Sequence, residues 1–200
     1  MEASDPARTT QVALLFEGGL AIVALVVGWL VGQWPLVGFS TLPEHAGEQV
    51  LAVGWGLVAT GPLLVALVLM ERIPWPPLRQ LSALTSDVIL RMFGGASLVQ
   101  RAAVAAMAGF GEELLFRGVV QAGLSRFFGL GVGLAIGSLV FGVCHWLNAT
   151  YAVLAMLAGA YFGLWLARTG NILTPIVAHA AYDFLALVYL IRPASLIGSK

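Results

Sequence analysis

Glu112, Glu113 and Arg117 interrupt an otherwise apolar stretch. Charges at the centre of a membrane helix cost ~2.5–3.5 kcal/mol each on insertion scales, so adjacent carboxylates there call for a reason. Residues four apart on a helix face one another, which lets Glu113 and Arg117 form an internal ion pair. Glu112 is rotated by about 100° from Glu113 and projects from a different face. A carboxylate facing a cavity can serve as a proton acceptor. Glu113 and Arg117 therefore read as scaffold and Glu112 as the reactive group. The plainer alternative is that both glutamates simply hold helices together.

Two further polar sites lie in later apolar runs. His145 follows Phe141 by four residues, so the two share a face. Histidine is the side chain whose ordinary titration falls near neutral pH, which suits acid–base work. Taken alone, His145 would be a hydrogen-bonded packing residue, and Phe141 a packing residue or a wall of the site. His179 and Asp183 are also four apart. Asp183 either orients the imidazole or points with it into one cavity. Alone, the pair could equally be a self-satisfied polar contact between helices, and Tyr182 lies off its face. Together the case is stronger. Glu112, Glu113, Arg117, His145, His179 and Asp183 are the ionisable residues in the central parts of their spans. Polar groups in a membrane face one another or a water-filled cavity. One shared cavity among three helices is the simplest arrangement.

The elements that must position these residues are membrane helices. Of the 200 residues, 60% are hydrophobic and 10% charged, whereas a soluble domain carries about 25% charged residues. This predicts an all-α, multi-pass transmembrane helical bundle of about six spans around an intramembrane cavity. The expected spans are residues 12–32, 49–70, 97–124, 130–146, 151–167 and 172–191, each near the ~20 apolar residues a bilayer needs. The first is too long for a signal-peptide core and reads as a retained helix. Glu17, near its end, reads as a carboxylate at headgroup level. Residues 73–95 are different. Trp75-Pro76-Pro77 breaks any helix, and apolar residues then recur at helical spacing from Leu78 to Met92. This predicts an interfacial amphipathic helix, or a cap packed on the bundle. The organisation expected is residues 1–95, two spans and the amphipathic helix, followed by the motif-bearing core at 96–200, in one structural domain.

Gly133 and Gly137, and Gly159 and Gly163, have the spacing that brings helix backbones close, and read as packing residues. With six spans, Arg8, Arg72, Arg79, Arg91, Arg192 and Lys200 fall on one side, Arg126 and Arg168 on the other. The basic side is cytoplasmic by the positive-inside rule, which places both termini there. Zero net charge and the lack of a basic tract argue against a nucleic-acid partner. The single cysteine, Cys144, excludes an internal disulfide and reads as a small core residue. Neither H-E-x-x-H nor G-x-S-x-G occurs. Glu112, His145 and His179 could in principle hold zinc, since His₂Glu is a catalytic set. A metal-free site is slightly favoured, because with zinc bound Glu112 would be a ligand and no separate base would remain.

Glu-Glu-x-x-x-Arg (Glu112, Glu113, Arg117), Phe-x-x-x-His (Phe141, His145) and His-x-x-x-Asp (His179, Asp183) occur in this order on successive apolar segments. The chain thereby resembles the CAAX protease and bacteriocin-processing family of intramembrane endopeptidases, also called the Abi family. The resemblance implies hydrolysis of membrane-anchored or prenylated proteins or peptides, in CAAX-type or leader-peptide processing. Glu112 with His145 would activate water, His179 and Asp183 would stabilise the oxyanion, and Glu113 with Arg117 would fix the helix. An ionised Asp183 cannot donate to an oxyanion, so it is either protonated or orients His179. The expected setting is the inner membrane of a prokaryotic cell. Two other functions fit the same residues: a non-catalytic scaffold or bacteriocin-immunity protein of this fold, and a proton-coupled transporter.

Overall fold

The computed structural model of the chain describes residues 6–191, and within them every regular element is helical. Arg192 and Lys200, used above for orientation, and residues 1–5 lie outside the described residues. The helices are α1 (Pro6–Leu30), α2 (Ala46–Arg72), α3 (Pro76–Phe93), α4 (Leu98–Glu113), α5 (Ala122–Phe128), α6 (Leu130–Cys144), α7 (Ala149–Thr169) and α8 (Leu173–Leu190). A π-helix, Leu114–Gln121, joins α4 to α5 without a break.

Local sequence explains the boundaries. Proline fixes its own φ and pushes the preceding residue into extended backbone. Trp75 is accordingly extended, and α3 starts on Pro76. Ser97 opens α4 with a capping box: its Oγ accepts from the Gln100 N–H at 3.2 Å, and its own N–H donates to Gln100 Oε1 at 2.8 Å. Asn148 caps α7 by accepting from the Tyr151 N–H at 2.8 Å. Gly170, with φ of +64°, ends that helix in the left-handed conformation that suits glycine.

The protein is an integral membrane protein with a multi-pass helical architecture. Leu15, Ile22, Trp29, Val50, Leu57, Val99 and Val153 point outward rather than into a core, as lipid-facing side chains do. Four helices are long and apolar enough to cross a bilayer: Ala7–Leu30, Pro43–Arg72, Ala149–Thr169 and Leu173–Leu190. Counted as one span, the pair Pro76–Phe93 and Leu98–Phe128, bent by 115° at their junction, would bring the number to five. Leu98–Phe128 has the length of a span, but it carries Arg101, Glu112, Glu113, Arg117 and Arg126. α6 has 15 residues, ~22 Å of rise against a hydrocarbon core of about 30 Å. It unwinds at His145, where the sequence predicted helix as far as 146.

Contacts between helices give the directions. Gly111 meets Glu17, and Gly28 meets Val119, so α1 and α4 run parallel. Thr174 Oγ1 donates to the Ala52 carbonyl and Tyr189 Oη to Glu71, so α2 and α8 are parallel. Gly142 meets Met156 and Gly163 meets Leu134, so α6 and α7 are antiparallel. The N-termini of α1, α4 and α7 and the C-termini of α2, α6 and α8 therefore share one side, with α3 lying there.

The seam between α4 and α8 is backbone against backbone. A Cβ on Gly109 would lie 2.8 Å from Ala180 N and 2.9 Å from Ile176 O. Gly109→Val should cost ~1–3 kcal/mol through forced separation of these helices, read as a lower unfolding midpoint in detergent. An unchanged midpoint would refute this account of the seam.

Candidate active site

Glu112 and Glu113 are the last two residues of α4, just before the π-helix. A π turn hydrogen-bonds i to i+5 and is uncommon outside functional regions. Here the Ala122 N–H reaches the Arg117 carbonyl in that register. The wide turn carries Arg117 inward, where it is 1% exposed.

Glu113 is the hub of a buried triad. Arg117 Nη1 donates to its Oε1 at 2.9 Å, and His179 Nδ1 lies 2.8 Å from the same oxygen. An ionised carboxylate only accepts, so Nδ1 of His179 carries a hydrogen. The Arg117 guanidinium lies 4.1 Å over the centre of the Phe141 ring and 5.3 Å from that of Phe162. These are cation–π distances, which suit a guanidinium out of reach of water. Phe162 also stacks on His179, with centroids 4.9 Å apart.

Glu112 belongs to a second pair. Its Oε2 lies 3.3 Å from His145 Nε2 but makes no aligned hydrogen bond. His145 Nδ1 is 2.8 Å from the Phe141 carbonyl. A carbonyl only accepts, so that nitrogen holds the hydrogen, and Nε2 of the neutral ring turns its lone pair toward Glu112. Phe141 stacks on His145 at 4.2 Å and meets Phe116 edge-on at 5.0 Å. It is buried beneath both imidazoles.

The two pairs differ in what they face. A cavity of about 1870 Å³ is lined by Glu112, His145, His179 and Asp183, with mainly apolar walls from α1, α2, α3 and α7. Glu113 and Arg117 are not among its lining residues. Most of the lining belongs to the halves of the helices nearest α3, and it reaches past their midpoints at Val120, Phe162 and His179.

All seven residues singled out in the sequence lie in this one region, with two differences in their partners. Glu113 is more than a brace for Arg117, since it also anchors His179 from α8. Asp183 is the more distant carboxylate of His179, with Oδ2 at 3.5 Å from Nε2. Tyr182, given no role above, lines the cavity, as do Tyr151, Phe162 and Cys144. Cys144 is exposed rather than a core residue. Glu17, expected at headgroup level, lines the cavity as well. Its signal was a lone acid in an apolar run. Gly159 does more than pack helices: a Cβ there would lie 3.2 Å from Arg117 Nη2.

Glu112, His145 and His179 are the residues offered above for zinc. No group of three or more His, Cys, Asp or Glu side chains converges on one point among the described residues. His179 is held between two carboxylates, and the Nδ1 of His145 is committed to a carbonyl.

Residues 94–185 match the family model for type II CAAX prenyl endopeptidase, Rce1-like. This segment, a little under half of the chain, is similar to the CAAX protease family. No curated protein and no solved structure matches the chain. The match begins in the turn between α3 and α4 and ends just past Asp183, so it holds every residue of both pairs. α1, α2 and α3, which complete the cavity wall, lie outside it apart from the junction of α3. Members of the CAAX protease family are peptide hydrolases of membranes, and that class is the activity the match supports.

Proposed function

We propose that this protein is an intramembrane endopeptidase of the CAAX protease family in which Glu112 and His145 activate a water molecule. The observation that carries the reading is their approach. Two acceptors face each other at 3.3 Å across the edge of the cavity, and a water donating one hydrogen to each satisfies both. Glu112 takes the first proton as the water oxygen attacks the scissile carbonyl carbon. The carbonyl π electrons move to oxygen, and the His179 ring, protonated at both nitrogens between Glu113 and Asp183, donates its Nε2–H to the resulting oxyanion. A good oxyanion donor contributes ~2.7–4 kcal/mol to the transition state. Collapse breaks the C–N bond, and the proton on Glu112 passes to the leaving amine. Glu113 holds His179 by Nδ1 throughout, so Nε2 stays directed at the cavity. Asp183 orients that side of the ring.

The substrate proposed is a membrane-anchored or prenylated protein or peptide. Apolar walls suit a lipid-anchored chain, and no step calls on a metal. Arg8, Arg72, Arg79, Arg91 and Arg101 lie on the cavity side and Arg126 and Arg168 on the other, which supports a cytoplasmic opening. His145→Ala should lose cleavage of a reconstituted membrane-proteome substrate pool, while a zinc chelator leaves the wild type unaffected. Wild-type turnover by His145→Ala would overturn water activation by this pair.

A further inference from the structure

Glu17 stands apart from the charges described so far. α1 passes α4 so closely that a Cβ on Gly111 would lie 2.3 Å from the Glu17 carbonyl oxygen. Gly111 immediately precedes Glu112, so Glu17 sits across the seam from the proposed base. Its side chain lines the same cavity as Glu112, His145, His179 and Asp183 and is within electrostatic reach of all four. Glu17 Oε2 is buried with no hydrogen-bond partner among the described residues. Glu112, only 8% exposed, holds a second unpartnered oxygen in the same cavity.

The charges do not balance without Glu17 being left over. Glu113 pairs with Arg117, His179 lies between Glu113 and Asp183, and Glu112 faces His145. Even with both imidazoles protonated, three cations meet three carboxylates, and Glu17 remains. Among the described residues, Arg8 is the sole Lys or Arg lining the cavity. It lies nine positions earlier on α1, ~13.5 Å away along the axis. An ionised Glu17 in so apolar a place would call for a cationic partner, and the described residues supply none beside it.

We propose that Glu17 is a specificity-determining residue that receives a cationic side chain of the substrate, a Lys or Arg within a few residues of the bond cut. The assignment rests on the endopeptidase reading above. Apolar walls hold the membrane-bound part of the substrate, and Glu17 adds one point of charge recognition. It also rejects chains that place Asp or Glu there, through like-charge repulsion.

The test is cleavage of a chymotryptic digest of a membrane proteome in lipid–detergent micelles, with the new termini sequenced by mass spectrometry. Wild-type protein should enrich Lys or Arg at one position near the cut. For a matched pair of peptides with lysine or norleucine at that position, E17Q should lower selectivity for lysine roughly tenfold, through KM rather than kcat. E17K should turn the preference toward Asp and Glu. A merely structural Glu17 would lower cleavage of both peptides alike. A wild-type profile with no basic preference, or a preference that survives E17Q, overturns the assignment and leaves the Glu112–His145 chemistry standing. Wild-type cleavage by E112A overturns that chemistry instead.

Discussion

Glu112→Ala is expected to lower peptide cleavage by roughly 10²–10⁴-fold, the usual worth of a positioned general base, while the protein stays folded and membrane-inserted. The two halves of this expectation have separate physical grounds. Activity depends on Glu112 because its Oε2 is the carboxylate oxygen 3.3 Å from the lone-pair nitrogen of His145. Folding depends on it little, because the ion pair that crosses the bundle interior belongs to Glu113. Removing Glu112 leaves no buried cation without a counter-ion, since in this mechanism the His145 ring is already neutral and lies at the cavity. The measurement is turnover per mole of purified protein, with the unfolding midpoint taken in the same detergent. Glu112→Gln keeps the shape and removes the base, so it should match Glu112→Ala in rate. Full activity in either variant would sink the mechanism.

The second large effect is on stability, and it falls on the adjacent residue. Glu113→Ala should destabilise the protein by ~3–5 kcal/mol, the cost of leaving a buried charge without its partner. Arg117 is enclosed by Phe141, Phe162 and the space above Gly159, so its charge cannot reach water without unpacking three helices. Replacing both members by apolar residues, as in Glu113→Leu with Arg117→Met, should recover most of that stability, because a buried pair barely repays its own desolvation. Activity should not return, because His179 loses the acceptor on its Nδ1. A single Glu113→Ala that unfolds at the wild-type midpoint would show that Arg117 finds another partner.

Much of the site was legible because charges are scarce in this chain. Glu112, Glu113, Arg117, His145, His179 and Asp183 stand out against apolar neighbours, and the 100° step between adjacent helical residues separates the two glutamates. The structure keeps that separation, with Glu112 at the cavity and Glu113 behind it. What the spacing could not supply was partnership between helices. Glu113 and His179 are 66 positions apart, and no periodicity relates them. Asp183 shares a helix with His179 and lies 3.5 Å from its Nε2, but the closer carboxylate, Glu113, comes from another helix. The place of Glu17 on the cavity was hidden for a similar reason: it depends on how α1 lies on α4. The π-helix was also hidden, since Leu114–Gln121 has an ordinary helical composition. The short α6 was missed because the apolar run continues past the point where the helix ends.

The off-centre position of the cavity has a consequence for which molecules can be handled. Most lining residues belong to the half of the bundle next to α3, and the opposite half has close backbone contact, as where Gly118 meets Pro35. The two leaflets are therefore unequal to this protein. On the proposed endopeptidase reading, a chain anchored in the leaflet next to α3 would slide to Glu112 without leaving the membrane, and one anchored in the far leaflet would first have to flip across. Lipid asymmetry then acts as a sorting step that precedes any recognition of sequence.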